Sequence, residues 1–320
     1  MAPTPDGHTA LVDPAEPDHL AATQEAVVSW YDAHARDLPW RRPGTSAWAV
    51  LVSEVMLQQT PVVRVEPAWR SWTGRWPTPA DLAAAPTAEV LRAWDRLGYP
   101  RRALRLQECA RAVVERHGGT VPADEEALLA LPGGGAYTAA AVAAFAHGRR
   151  AVVLDTNVRR VLGRALEGRA LPAPCLSRAE HERARAYLPV DDARSVRWNV
   201  GLMELGALVC TARSPSCPEC PLAATCAWVR AGRPADAHAH RRRAQAWHGT
   251  DRQARGRIMA ALRGAEGWTA DEELLRAVAG GADPAALADP AQPGRALASL
   301  VADGLVRAGS GDRAGWYRLP

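Results

Sequence analysis

Apolar residues recur at three- and four-residue spacing through most of the chain, in 24–36, 46–58, 88–96, 101–117, 124–130, 136–147, 157–166, 178–187 and 195–208. That period lines one face of a helix. Ser46, Thr87, Asp124 and Ser177 stand at the starts of such runs and predict N-caps. No alternating strand pattern is visible before residue 300, and Ala151–Leu154 is apolar but too short for a sheet. A polar, basic, His-rich stretch at 233–249 reads as a linker, and the irregular spacing of His238, His240 and His248 argues against a metal site there. The helical period returns in 250–263, 270–279 and 292–303, followed by two strand-like runs on either side of Gly309–Gly311. Helices followed by a hairpin predict a winged-helix-like module. The expected fold class is thus all-α with a small C-terminal module. Met1 to Thr23, rich in Pro, Ala and Asp, reads as a flexible tail.

Composition narrows this picture in a few places. At 320 residues the chain has room for two or three domains. No apolar run approaches the ~18 residues of a membrane span. The N-terminus lacks the basic and apolar regions of a secretory leader, so a reducing cytoplasmic setting is expected, where structural disulfides are rare. All 39 basic side chains are arginine, and with no lysine there is no side-chain amine to form a Schiff base. A net charge of +4 and a pI near 8.9 are compatible with nucleic-acid binding without requiring it.

Four motifs carry candidate chemistry. Cys210, Cys217, Cys220 and Cys226 follow a C-x6-C-x2-C-x5-C spacing, tight enough to wrap one metal centre. Structural zinc sites usually join two short knuckles by a longer span, so this single short pair favours a [4Fe-4S] cluster over zinc. Cys109 and Cys175 lie outside the run and read as small, at least partly buried thiols. The segment Leu131-Pro-Gly-Gly-Gly-Ala-Tyr-Thr-Ala139 joins two helical stretches through glycines; it is either an ordinary turn or a phosphate seat at a helix N-terminus. Asp155 precedes a helical run and is a natural N-cap; as an ionised carboxylate it could also steady a developing positive charge on a sugar. Glu54 shares a helix face with Val50, Leu51, Leu57 and Gln58 and interrupts their apolar stripe. It is either a surface ion-pair partner or a carboxyl held in an apolar site as a proton donor. Gln58 and Gln59 fall near the end of that helix, before Pro61, where amides can reach bases.

In this order and spacing, SEVMLQQT around Glu54, LPGGGAYTA, LDTNVRRVL around Asp155 and the four cysteines resemble the endonuclease III superfamily of DNA glycosylases. More narrowly, they resemble its MutY-type adenine DNA glycosylases. Leu38–Arg41 and Leu97–Tyr99 add to the match, which covers about 24–230.

The resemblance implies a two-lobed helix-hairpin-helix glycosylase fold: a six-helix barrel lobe at about 44–154 and a [4Fe-4S] lobe from 24–43 plus 155–232. The linker at 233–249 and the module at 250–320 follow. It implies base excision by hydrolysis of an N-glycosidic bond, without strand cleavage, because lyase members carry their lysine where this chain has Tyr137. Glu54 would protonate N7 of an extruded adenine and then activate water, and Asp155 would stabilise the cationic sugar. Tyr137 and Asn157 would orient the carboxylates. Trp40, Arg41 and Leu57 match the walls of the adenine pocket. Gln59 and Tyr99 match residues that enter the duplex, and Gln58, Thr60, Gly133 and Gly135 fall at DNA-binding positions. The four cysteines would hold the cluster and present Arg213 to phosphates.

The implied partner is double-stranded DNA with adenine opposite 8-oxoguanine or guanine. A monomer working in the cytoplasm at the nucleoid is expected. The chain departs from the family at Gly134, usually aliphatic and expected here to loosen the turn, and at Val200, often Glu or Gln. Its C-terminal part also lacks a Nudix-like pattern. Two alternatives stay open: a mismatch thymine or uracil glycosylase of the same superfamily, which can also carry Tyr in the hairpin, and a non-enzymatic iron–sulfur DNA-binding regulator.

Overall fold

Several helices start where a side chain accepts from their first amides, which the helix itself leaves unpaired. Ser46 accepts from the Ala49 amide, Asp124 from Ala127 and Ser177 from Glu180. Thr87 instead lies inside its helix behind Pro86, and its hydroxyl donates to Gln107 Oε1 at 3.0 Å.

The computed structural model describes residues 17–241, 247–280 and 287–320. Its helices are α1 Pro17–His34, α2 Ala47–Leu57, α3 Val62–Arg75, α4 Pro79–Ala84, α5 Thr87–Trp94, α6 Arg101–His117, α7 Glu125–Leu129, α8 Ala136–His147, α9 Thr156–Ala165, α10 Arg178–Ala186, α11 Asp192–Leu208, α12 Ala227–Arg230, α13 Asp251–Gly264, α14 Asp271–Val278 and α15 Gln292–Ala302. Its strands are β1 Thr269–Ala270, β2 Arg307–Ala308 and β3 Trp316–Arg318. Among the described residues, no helix is long and apolar enough to cross a membrane.

Two expectations are corrected, for the tail and for the strands, and one helix was not anticipated. The tail expected through Thr23 is helical from Pro17. Proline suits the first helical position, Asp18 complements the helix dipole, and Leu20 packs on the core; residues 1–16 of that tail lie outside the described ones. Helix α3 gave no clear period because Pro67 interrupts it. Its stripe of Val65, Trp69 and Trp72 is nonetheless buried, while Val63, whose carbonyl Pro67 cannot reach, stays exposed to water. Strand β1 precedes residue 300, but two residues are too few to display alternation.

The described residues of Met1–Asp37 and Ala143–Arg243 form one compact unit, and those of Leu38–Val142 and Ala244–Pro320 form a second. The segment after α8 is bound into the first unit: Arg150 Nε donates to Pro189 O (2.7 Å) and Asn199 Nδ2 donates to Ala151 O (2.9 Å).

In the first unit α1, α9, α11 and α12 surround a core that includes Val27, Val161, Leu162, Trp198, Leu202 and Leu205. Glu204, fully buried in α11, accepts from Arg36 Nε (2.7 Å), Arg36 Nη2 (2.9 Å) and the Arg36 amide (3.0 Å). Those bonds raise the Arg36 pKa and fix the chain leaving α1.

Indoles fill the second unit. Trp72 meets Trp76 and Trp94 edge-on, with ring centroids 4.6 and 5.5 Å away. Trp48 Nε1 donates to Trp76 O (3.1 Å) and Trp69 Nε1 to Ala49 O (2.8 Å), so two buried rings keep their polar atoms paired. The C-terminal module belongs to this unit. It is winged-helix-like: α13 packs on α14 and α15, and β3 lies between β1 and β2 in an antiparallel sheet. Tyr317 stands opposite both Thr269 and Ala308. Arg92 Nη2 donates to Ala265 O (3.0 Å), and Arg101 pairs with Asp303 (3.3 Å), joining the module to α5 and α6.

Candidate active site

Helix α2 is buried on all faces from Trp48 to Met56. Glu54 is therefore not at the edge of a stripe but inside, 3% exposed. The Tyr137 hydroxyl, in the first turn of α8, donates to Glu54 Oε2 at 2.8 Å. One turn on, Gln58 Nε2 donates to Thr138 Oγ1 at 3.2 Å. The end of α2 and the start of α8 are thus tied twice, and a buried carboxyl is held at a fixed orientation.

The hairpin between α7 and α8 closes with Gly134 N–H donating to Leu131 O (2.8 Å) and Gly135 N–H to Gly133 O (3.0 Å). Gly133 is left-handed at φ +80°. Gly134 does not loosen the turn. A Cβ there would press into the Leu128 carbonyl oxygen and lie 2.9 Å from that of Leu131. The backbone has drawn in so far that no side chain fits. Gly133 and Gly135 remain exposed beside the first turn of α8, where amides point outward.

Gln59 and Tyr99 both project from left-handed backbone, at φ 57° and 46°. Non-glycine residues seldom adopt this conformation, and it persists where the surroundings enforce it. Arg102 does the enforcing. Its Nη1 donates to Val55 O (2.8 Å), Met56 O (3.1 Å) and Gln58 O (2.6 Å). Its Nη2 donates to Thr60 Oγ1 (3.0 Å), Leu97 O (3.1 Å) and Gly98 O (3.1 Å). Thr60, buried, donates to Leu97 O at 3.1 Å. One guanidinium thus fastens the Gln59 loop to the Tyr99 loop, at the expense of burial that lowers its pKa to about 10.

Trp40 is buried in a 3-10 turn, Pro39–Arg41, edge-on to Trp69 at 5.8 Å. Arg41 closes that turn and Leu57 closes α2, both half-buried. A cavity of about 230 Å³ opens between α2, α6 and the hairpin. Gln58, Thr138, Arg102 and Gly133 line it, whereas Trp40, Arg41, Leu57 and Glu54 do not.

In the first unit Asp155 caps α9. Its Oδ1 accepts from the Val158 amide (2.7 Å) and its Oδ2 from Asn157 Nδ2 (2.9 Å). Burial raises its pKa, outweighing those hydrogen bonds and the nearby Arg160 charge. The cap alone does not hold the carboxyl low. Asn157 Oδ1 accepts in turn from Arg160 Nη2 (2.7 Å), and the same guanidinium donates to Gly206 O and Cys210 O, each at 2.7 Å. Gly206 lets α11 lie against Asn157, since a Cβ there would stand 2.7 Å from Asn157 Cβ. Val200 is buried in α11 of this unit.

Cys210, Cys217, Cys220 and Cys226 line one small cavity with Val209, Pro215, Trp228 and other residues. All four are free thiols. Arg164 Nη1 donates to Cys210 Sγ (3.4 Å) and Thr211 O (2.7 Å), Arg164 Nη2 to Ala212 O (3.0 Å). Among the described residues, no three His, Cys, Asp or Glu side chains form a group that could hold a single metal ion. Arg213 lies in this loop, exposed. Of the remaining cysteines, Cys109 is buried, its thiol pushed up to about 12, but Cys175 is exposed, in the irregular stretch before α10.

Residues 52–183 match the HhH-GPD superfamily of base excision DNA repair proteins. An adenine DNA glycosylase of Mycobacterium tuberculosis is 52% identical over 291 residues, covering 91% of this chain and 91% of its own. The chain belongs to the adenine DNA glycosylase family. A family member from Mycolicibacterium smegmatis is 53% identical over 280 residues, 88% of this chain and 91% of its own. Among solved structures, a thermostable thymine-DNA glycosylase aligns at a TM-score of 0.60 with 28% identity, over 66% of this chain and 97% of its own. The helix-hairpin-helix glycosylase fold is thereby established, and DNA is the partner of this family.

Arg102, Arg160 and Arg164 carry no sequence signal of their own. Arg160 and Arg164 stand four apart on α9 and are both buried there, which only the structure reveals.

Proposed function

We propose that the protein is a monofunctional DNA glycosylase that removes adenine mispaired with 8-oxoguanine or guanine. The reading rests chiefly on the hydrogen bond from Tyr137 to buried Glu54, in a chain without lysine. The hydroxyl that takes the place of a Schiff-base amine fixes a proton donor instead.

The target nucleotide leaves the stack at a cost of roughly a few kcal/mol, least for a mispaired base. Glu54 passes its carboxyl proton to N7 of adenine, and the bond between the base and C1′ breaks with its electron pair leaving on the base. Asp155, capped by Val158 N–H and steered by Asn157, faces the positive charge that remains on the sugar. Being desolvated, it acts on that charge more strongly than an exposed carboxylate would. Glu54, now ionised, takes a proton from the water that attacks C1′. Without a side-chain amine, the chain stops at the abasic site.

Cys210, Cys217, Cys220 and Cys226 fit a [4Fe-4S] cluster. Four thiols bordering one cavity, on a tight C-x6-C-x2-C-x5-C spacing with a single short pair, favour a multi-atom centre over zinc. When bound, the cluster would hold the loop between Cys210 and Cys226 and thereby place Arg213 for phosphate contact. Iron and sulfide analysis of protein purified without oxygen tests this. The protein is proposed to act as a monomer in the cytoplasm.

The deciding experiment is single-turnover base release from duplexes holding A or T opposite 8-oxoguanine, G or C. Release of A opposite 8-oxoguanine and G is expected, with a loss of at least about a hundredfold in Glu54→Gln. Release of T alone, unaffected by Glu54→Gln, would transfer the chain to the mismatch thymine reading.

A further inference from the structure

The cavity between α2, α6 and the hairpin has no part in base removal, because Glu54 does not border it. Its walls are mostly aliphatic: Leu51 and Val55 from α2, Leu106 from α6, Leu128 from α7 and Val142 from α8. Cys109 adds a neutral thiol, since burial pushes its pKa up to about 12. No carboxylate borders the space.

Two guanidinium groups do border it, those of Arg102 and Arg105. The hydrogen-bond partners of Arg102 are backbone carbonyls and the Thr60 hydroxyl; none is a carboxylate. Its Nε is buried and donates to nothing among the described residues. With a pKa lowered to about 10, the group still carries its charge at pH 7. A cation withdrawn from water is ordinarily matched by an anion, and here only dipoles answer it. Arg105 stands three positions on along α6, on the same side of the helix. It is exposed, with no ion pair or side-chain hydrogen bond among the described residues. A Cβ at Gly133 would lie 3.5 Å from Arg105 Cβ, which puts this side chain at the hairpin edge of the cavity.

Size and chemistry together select an occupant. Apolar cavities of roughly 150 Å³ take up benzene, whereas drug-sized ligands need about 300 Å³ or more. A space of about 230 Å³ falls between, with room for one ring and a few further atoms. The aliphatic wall favours an apolar body. The two guanidinium groups favour an anion, and a carboxylate matches their planar geometry. An inorganic anion alone would leave the aliphatic wall unfilled.

We propose that this cavity is a further binding site, for a small aromatic carboxylic acid whose ring lies against the aliphatic wall and whose carboxylate meets Arg105 and the unpaired Nε of Arg102. The site is separate from Glu54 and does not depend on which base the chain removes.

Isothermal titration calorimetry of the full chain purified with its cluster tests this, with phenylacetate as the probe. Saturable binding is expected, with a Kd on the order of 0.1–1 mM. Phenylacetamide keeps the shape but not the charge, and should bind about tenfold more weakly. Acetate and inorganic phosphate keep the charge but not the ring, and should not saturate in the same range. Arg105→Ala should bring phenylacetate down to the affinity of the amide. Cys109→Met lengthens a side chain of the wall and should abolish binding. If melting curves show that this variant does not fold, Arg105→Ala, at the surface, carries the test. Absence of saturable phenylacetate binding overturns the proposal. Equal affinity for the amide overturns it too, since the cavity would then be an apolar void, as does equal affinity for phosphate, which would mark an ordinary anion contact. Undiminished binding in Arg105→Ala or in folded Cys109→Met also overturns it, by placing the probe elsewhere. Base release is not read in any arm, so each of these failures leaves the glycosylase reading standing.

Discussion

Asp155 holds two opposed tendencies in one carboxyl: a cap that favours the anion and a burial that opposes it, with burial prevailing. A folded-state pKa above the ordinary 3.8 means the folded chain binds this proton more tightly than the unfolded one. Stability from this group is therefore present at low pH and declines as pH rises from about 3.8 through the raised value. Asp155→Asn keeps a cap acceptor but cannot ionise. Its Tm at pH 7 should exceed that of the unmodified chain, the gap should narrow below about pH 4, and base release should be lost. Coincident melting curves at pH 7 would show that the site does not tax the anion. At this scale the sequence was legible where chemistry is local. The Asp155 cap and the four cysteines lie within short runs. Glu54 and Tyr137 are 83 positions apart, and their contact could be anticipated only because each lay in its own motif. Arg102 was illegible because its partners are mostly backbone carbonyls, which no residue type announces, and because arginine is everywhere in this chain.

Among the elements, the α7–α8 hairpin shows how a departure from family pattern is absorbed. Without a side chain at Gly134 the turn has closed onto the Leu128 and Leu131 carbonyls. Gly134→Ala should cost roughly 1–3 kcal/mol in chemical denaturation and also weaken duplex binding, since relief requires moving the exposed amides. Unchanged stability would mean the turn opens freely. Most helices were readable from their period, and Ser46, Asp124 and Ser177 marked their starts correctly. Helix α3 was not, because Pro67 breaks the pattern while tryptophans supply the burial. The extent of α1 was hidden too, since its first turn is held by contacts with α9–α11 residues far along the chain.

For the molecule as a whole, ion pairs and single anchors carry much of the organisation. Glu204, fully buried, secures the exit of α1 through Arg36. Glu204→Gln should lower unfolding free energy by roughly 3 kcal/mol, the low end for a buried pair because Arg36 is about a third exposed. Urea titration followed by tryptophan fluorescence measures it; a change below about 0.5 kcal/mol would place this pair with surface ones. How the chain divides was the least legible feature. Periodicity reports faces of single helices, whereas the grouping of 244–320 with 38–142 depends on contacts such as Arg92 to Ala265 that join distant segments.

Strand β3 occupies the middle of the module's sheet although it comes last, ending two residues before Pro320, with Leu319 packed inside. Trp316–Arg318 is thus the keystone of that sheet, paired along both of its edges. A purification handle fused there would hang from that keystone, and trimming even five residues would leave β1 and β2 with no ribbon between them.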